Sequence, residues 1–185
     1  MSSPLSVKKN NYIKNPKARD ISTPEVVANF IASLYPNISS VLDPSIGGGE
    51  LVKPFLRRGD VKVISYNFER GEDFLLMDKP MLVDLVVCNP PFNLGVGKML
   101  GSERFLRKII GVCGETVQIV LFCPMGFRLN QRKTSARWRW LRDSNLKISS
   151  ILSLPLDIFE NVAFHSEILF FNSPHLQTHY FLPSV

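Results

Sequence analysis

Short apolar runs bounded by turn residues alternate along this chain with longer, amphipathic stretches, from Ser40 to Phe171. Alternation of this kind makes βαβ units, because a parallel strand pair needs a crossover long enough to hold a helix. The expectation is an α/β fold with a doubly wound, mostly parallel sheet of the Rossmann-like kind. Strands are read at Ser40 to Asp43, Val61 to Phe68, Met81 to Cys88, Val117 to Cys123, Ile148 to Leu154 and Ile168 to Phe171, with a last one at His179 to Leu182. Helices are read at Glu50 to Arg58, Ser102 to Ile110 and Thr134 to Asn145. An earlier helix opens with Thr23 as N-cap and Pro24 in the first helical position, buries Val26, Val27, Phe30, Ile31 and Leu34, and closes at Tyr35 and Pro36.

A length of 185 residues with 45% hydrophobic content supports one sizeable core. Residues 1 to 20 read as a flexible basic arm, and 21 to 185 as a single domain. The longest apolar stretches, Val117 to Cys123 and Ile168 to Phe171, fall far short of the roughly 20 residues that cross a bilayer, so no membrane span is expected. Met1 to Lys9 is polar and basic with no apolar stretch after it, unlike a secretory signal. Cys88, Cys113 and Cys123 lie in or beside apolar segments without CxxC spacing or paired histidines, which points to buried thiols and to no metal site. A reducing compartment follows: the cytoplasm of a prokaryotic or phage-infected cell, or the nucleus of a eukaryotic one.

The formal charge of +6 is unevenly placed. Lys8, Lys9, Lys14, Lys17 and Arg19 fall in the arm, and Arg128, Arg132, Lys133, Arg137, Arg139, Arg142 and Lys147 form a second basic segment whose one acid is Asp143. Localised basic segments suit a polyanion, because phosphate contacts supply most non-specific affinity for nucleic acid. A solvated helix face with a basic tail is the plainer alternative. Trp138 and Trp140 are either stacking platforms or core, and because Trp138, Leu141 and Asn145 share a helix face, core is expected for at least one of them. His165 reads as structural.

In an open α/β sheet ligands bind at the carboxyl ends of the strands. The first strand runs into Asp43, Pro44, Ser45, Ile46, Gly47, Gly48 and Gly49, and glycine there lets the backbone approach a ligand closely. A tight turn into a helix would use the same residues. No Gly-Lys-Ser/Thr ending follows, so a phosphate-binding P-loop is excluded, and Val52 stands where the dinucleotide fingerprint has its third glycine. The strand ending at Cys88 runs into Asn89, Pro90, Pro91 and Phe92. This corner brings together an amide oxygen, a proline carbonyl held by fixed φ angles, and an aromatic face, a set suited to a planar primary amine. A turn closing the strand is the structural alternative.

These residues resemble the S-adenosylmethionine-dependent N6-adenine methyltransferases of the gamma group. Asn89 to Phe92 match its NPPF-type catalytic motif, and Asp43, Pro44, Gly47 and Gly49 match its DPxxGxG cofactor signature, with Ser45 inside it. Thr23 and Pro24 resemble the TP element that closes over the cofactor, and Asp73 and Phe74 the DF element that holds its adenine ring. The stretch from Ile148 to Phe171 resembles the late motifs. The resemblance implies methyl transfer from S-adenosylmethionine to the exocyclic N6 amine of adenine in DNA, with the same chemistry on RNA as an alternative. The second basic segment follows the strand beside the one ending in Asn89 and should emerge on the same rim, so Arg128, Arg132 and Lys133, with Lys98, are expected to contact phosphate.

Two departures stand out. Asn67 occupies the place of the usual ribose-binding acid, so Glu69 is either its substitute or an ordinary surface acid. The short chain leaves no room for a separate target-recognition domain, so sequence choice would come from loops or a partner. Oligomeric state is open. Protein glutamine as substrate, as in the related release-factor methyltransferases, and a non-catalytic nucleic-acid-binding relative are the alternatives.

Overall fold

The computed structural model describes residues 21–92, 94–97, 99–129, 132–159 and 165–182. The expected basic arm and Lys98 lie outside them. Strands β1 (Ser40–Asp43), β2 (Lys62–Ser65), β3 (Leu85–Cys88), β4 (Gln118–Pro124), β5 (Ile148–Ser153), β6 (Ser166–Phe171) and β7 (His179–Phe181) form one sheet in the order β2-β1-β3-β4-β6-β5-β7. Its β2-β1-β3-β4 half is parallel, and β6 runs antiparallel to both its neighbours. The doubly wound, mostly parallel expectation matches this sheet.

The central strands are apolar on both faces because both faces are covered. Val41, Leu85, Val87, Val120 and Phe122 pack with Val27, Ala28 and Ile31 of helix α1 (Glu25–Ser33) and Phe55 of helix α2 (Lys53–Arg58). The alternate residues Leu42, Val86, Cys88, Ile119 and Leu121 pack with Phe105, Leu106, Ile109 and Val112 of helix α3 (Gly101–Cys113). Helix α4 (Ala136–Asp143) lies on this second face through Trp140 and Leu141.

Several boundaries differ from the sequence reading for identifiable reasons. The expected strand from Met81 starts only at Leu85, because Asp84 is exposed and accepts hydrogen bonds from Ser39 N, Ser40 N and Ser40 Oγ at 2.8–3.0 Å. That contact holds the Asp84 carboxyl below its usual range. The expected helix from Glu50 starts at Lys53, where Pro54 suits the first turn, and ends at Gly59 with φ of 74°. The second strand stops at Ser65, after which Asn67 Oδ1 accepts from Glu69 N and starts a 3-10 turn, Phe68–Arg70. Thr23 does not cap α1. Pro24 is the N-cap and no side-chain cap bond is made.

Candidate functional site: the switch point between β1 and β3

From β1 the sheet grows to β2 on one side and to β3 on the other, so the carboxyl ends of β1 and β3 form the point where strand order reverses. A crevice opens at such a point because the connections leave on opposite faces. β1 delivers Asp43 and the glycine loop there; β3 delivers Cys88 and Asn89. The two loops that sequence singled out are therefore neighbours.

Asp43 is 1% exposed, and its Oδ1 accepts from Ser45 N at 2.9 Å. Burial pushes its carboxyl up to about pH 7, and the Ser45 N–H only partly offsets this. The Cys88 thiol is pushed well up by burial and by the Asp43 charge beside it. Pro44 is buried under the loop, while Gly47 and Gly49 have φ of 49° and 84° and hold the turn that only glycine adopts readily. A Cβ at Gly47 would meet nothing within 4 Å, so the backbone there borders open space.

The Asn89 corner is braced from both sides. Ser45 Oγ donates to Asn89 O at 3.3 Å. The side-chain Nδ2 of Asn89 donates to Thr23 Oγ1 at 3.1 Å and to Ile21 O at 3.4 Å. A backbone carbonyl only accepts, so the amide nitrogen must face Ile21 and the oxygen must face away from it. Among the described residues none donates to Asn89 Oδ1 or to the Pro90 carbonyl. The Pro91 carbonyl is occupied by Leu94 N at 3.3 Å. Pro90 is buried and Phe92 is half-buried against the α1 side of the core. Pro24 lies beside this brace and serves the helix, its carbonyl accepting from Val27 N and Ala28 N.

Beyond β2 the rim is made by the 3-10 turn Phe68–Arg70 and a second one, Phe74–Leu76. Glu69 is exposed on the first. Asp73 Oδ1 accepts from Leu75 N at 2.9 Å and caps the second. Phe74, expected to offer its face to an adenine ring, is instead 1% exposed and packs edge-on against Tyr66 at 5.3 Å between centroids. It is part of the core beneath this rim. The aromatic that stands in solvent is Phe68, 75% exposed, which the sequence reading missed. Its signal was an aromatic flanked by Asn67 and Glu69 just past a strand end.

No protein-family model and no curated protein matches this chain. Solved structures do. A candidate modification subunit of a type I restriction enzyme from Vibrio vulnificus superposes with a TM-score of 0.65 at 19% identity, covering 93% of this chain and 49% of that one. A candidate class I S-adenosylmethionine-dependent methyltransferase from Listeria monocytogenes gives 0.64 at 16% identity over 94% and 70% of the two chains. The fold is that of the class I methyltransferases. A type I restriction-modification methyltransferase subunit from Streptococcus thermophilus gives 0.62 at 16% identity over 88% and 47%. The chain thus spans about half the length of the restriction-modification subunits it matches.

On this methyltransferase fold the second basic segment follows β4 and so leaves the sheet on the same carboxyl-end side as Asn89. Arg132 and Lys133 are exposed there. Arg128, expected on phosphate, is engaged by the buried Glu167 through Nε at 3.2 Å and Nη2 at 2.9 Å. Arg137 binds the buried Glu103 at 2.7 Å, and the same carboxylate accepts from Arg107, whose guanidinium lies 3.9 Å over the Trp140 ring. Trp140 therefore packs, as expected of at least one of the two indoles, and Trp138 is 44% exposed. Cations that the sequence reading passed over, Arg104 and Lys108, line an open cleft on α3 with Leu75 and Met99. His165 is exposed, and its carbonyl accepts from Met125 N. Among the described residues no cluster of metal-ligating side chains occurs, and no helix is long and apolar enough to cross a membrane.

Proposed function

We propose that this chain transfers a methyl group from S-adenosylmethionine to the exocyclic N6 amine of adenine in DNA. The observation that carries the reading is the pair of uncommitted acceptors, Asn89 Oδ1 and the Pro90 carbonyl, at the switch point beside the glycine loop.

The residues at that point suit the cofactor. Its methionine part carries an ammonium group, and Asp43 offers a buried carboxylate whose described partner is the single Ser45 N–H. The open backbone at Gly47 and the turn at Gly49 leave room for a ligand edge, with Ser45 between them. Pro24, Asp73, and Phe68 or Glu69 would border the remainder. When bound, S-adenosylmethionine supplies an electrophilic sulfonium methyl.

The protein's own task is to prepare the amine. An adenine amino nitrogen is a poor nucleophile because its lone pair is delocalised into the ring. Asn89 Oδ1 and the Pro90 carbonyl each accept one of its hydrogens, which favours tetrahedral geometry and localises the lone pair. Acceptors fixed before reaction need no reorganisation when charge develops, and alignment of reactants is the other large contribution. Pro90 and Pro91 hold the backbone so that the carbonyl cannot turn away. Phe92 borders the target base once it has left its stack, a step that costs a few kcal/mol. Arg132 and Lys133, with Lys98, contact phosphate.

Labelled methyl transfer onto unmethylated DNA, RNA and a glutamine-bearing peptide tests this, with product expected on DNA at adenine N6. Product on RNA or peptide alone would replace the substrate while keeping the chemistry. Absence of cofactor binding by calorimetry at high micromolar concentration would leave a nucleic-acid-binding relative without catalysis. Asn89→Ala is expected to lower transfer by about a hundred- to a thousandfold, as loss of a preorganised polar group does, while cofactor affinity stays near that of the wild type.

A further inference from the structure

We infer that Thr23 is a positioning residue whose hydroxyl oxygen, together with the Ile21 carbonyl, holds the Asn89 carboxamide in the one orientation that presents its oxygen to the target amine. The inference rests on Asn89 being the acceptor proposed above, and it gives the stretch before α1 a task distinct from covering the cofactor.

A terminal carboxamide rotates readily, and its two ends have opposite hydrogen-bonding character: the NH2 only donates and the oxygen only accepts. An asparagine meant to accept from an amine is useless when flipped, because two N–H groups then face two N–H groups. Something must make the flipped state costly. Here both acceptors on one side of Asn89 come from a segment 66 and 68 residues earlier in the chain, Thr23 Oγ1 at 3.1 Å and Ile21 O at 3.4 Å. Turning the amide over would set Oδ1 against the Ile21 carbonyl, oxygen against oxygen; the Thr23 hydroxyl could donate to a flipped amide, so its part is to hold the carboxamide beside the carbonyl that rejects that orientation. Thr23 is 5% exposed, so water does not readily take its place. Nor is the hydroxyl used to start the helix, since α1 has no side-chain cap bond. The polar group of this buried residue is thus directed at Asn89.

The separation also explains the shape of this end of the molecule. α1 packs against the sheet through Val27, Ala28 and Ile31, all fully buried, and this fixes the residues just before it over the end of β3. Core packing is in this way converted into the orientation of one side chain at the rim.

The test uses the full chain with Thr23→Val, which keeps the shape and removes the acceptor, and Thr23→Ser, which keeps the acceptor. Thr23→Val is expected to lower kcat by on the order of tenfold, the effect of losing one hydrogen bond to a polar group held in place, with the cofactor Kd unchanged. Thr23→Ser should recover most of the loss. Independently of activity, the Asn89 side-chain amide hydrogens should exchange with solvent faster in Thr23→Val than in wild type or Thr23→Ser, as read by NMR. Unaltered exchange overturns the inference. So does a weakened cofactor Kd with kcat intact, which would make Thr23 a cofactor clamp. If the wild type transfers no methyl group to any substrate, the proposed function fails, while the exchange comparison still decides whether Thr23 orients Asn89.

Discussion

The β1–β3 end of the sheet and the α3–α4 side of the molecule handle polar groups in opposite ways. At the switch point a buried carboxylate, an amide oxygen and a proline carbonyl stand with few or no described partners, although the backbone around them is held from both sides. On the α3–α4 side the buried carboxylates are paired: Glu103 of α3 with Arg107 and Arg137, and Glu167 of β6 with Arg128, which follows β4. One region keeps interactions in reserve for something absent from the chain, and the other spends its charge on holding itself together. A basic segment read from sequence is therefore not equivalent to a basic surface. Three of its arginines are bound to acids, with Arg142 bridging Asp143 at 2.6 Å.

That contrast can be broken most forcefully at Glu103. It is 3% exposed and shared by two guanidinium groups, so Glu103→Gln leaves an uncompensated buried cation and is expected to lower unfolding stability by about 3–5 kcal/mol in denaturant melts. A change below about 1 kcal/mol would mean that this side is as loosely committed as the switch point.

Asp43 sharpens the other half. The unfolded chain releases this proton near pH 3.8 and the folded chain near 7. The carboxyl therefore favours folding fully below about pH 3.8 and loses that contribution as the pH rises to about 7. Asp43→Asn is expected to be more stable than wild type at pH 8, by about 2–4 kcal/mol, with the difference vanishing near pH 4. If Asp43 faces the cofactor ammonium, the same variant binds S-adenosylmethionine more weakly, and wild-type affinity falls as the pH drops below about 7. A variant that is both less stable and equally tight-binding would make Asp43 a structural group.

The smallest expected effect compares neighbouring indoles. Trp140→Ala removes the ring under Arg107 and part of the α4 contact, an expected loss of about 1–2 kcal/mol, whereas Trp138→Ala should stay within about 0.5 kcal/mol. Thermal melts of the two variants read this directly, and equal shifts would remove the assignment of faces.

The parts legible in the sequence were those with short-range causes. Strand-helix alternation, the glycine loop and the asparagine before two prolines each announce themselves within a few residues, and the sheet brings both loops to one place. What escaped was set by partners far along the chain. The Met81 to Asp84 stretch reads as strand by composition, but Asp84 is drawn off to cap β1. Thr23 and Pro24 have the right chemistry to start a helix, yet only the register of α1 against β3 shows that the hydroxyl serves Asn89. The Phe74 expectation was misplaced, and the choice between Trp138 and Trp140 stayed open, for a related reason. Residue type says that an aromatic packs or stacks, and only the fold says which one faces solvent.

The corner also bears on how such a chain can diversify. A side chain on Gly101 would drive its Cβ into the Pro91 carbonyl, so the start of α3 abuts the corner at residue 101 just as the strand end does at residue 88. The stretch between leaves and returns to a fixed pair of posts, with Val96 and Met99 pairing across its neck. Closing a loop twice as long between the same posts costs only about 0.6 kcal/mol. The part after Phe92 can therefore lengthen with little effect on the Asn89–Pro90 geometry, an extendable loop beside an immovable hinge pin.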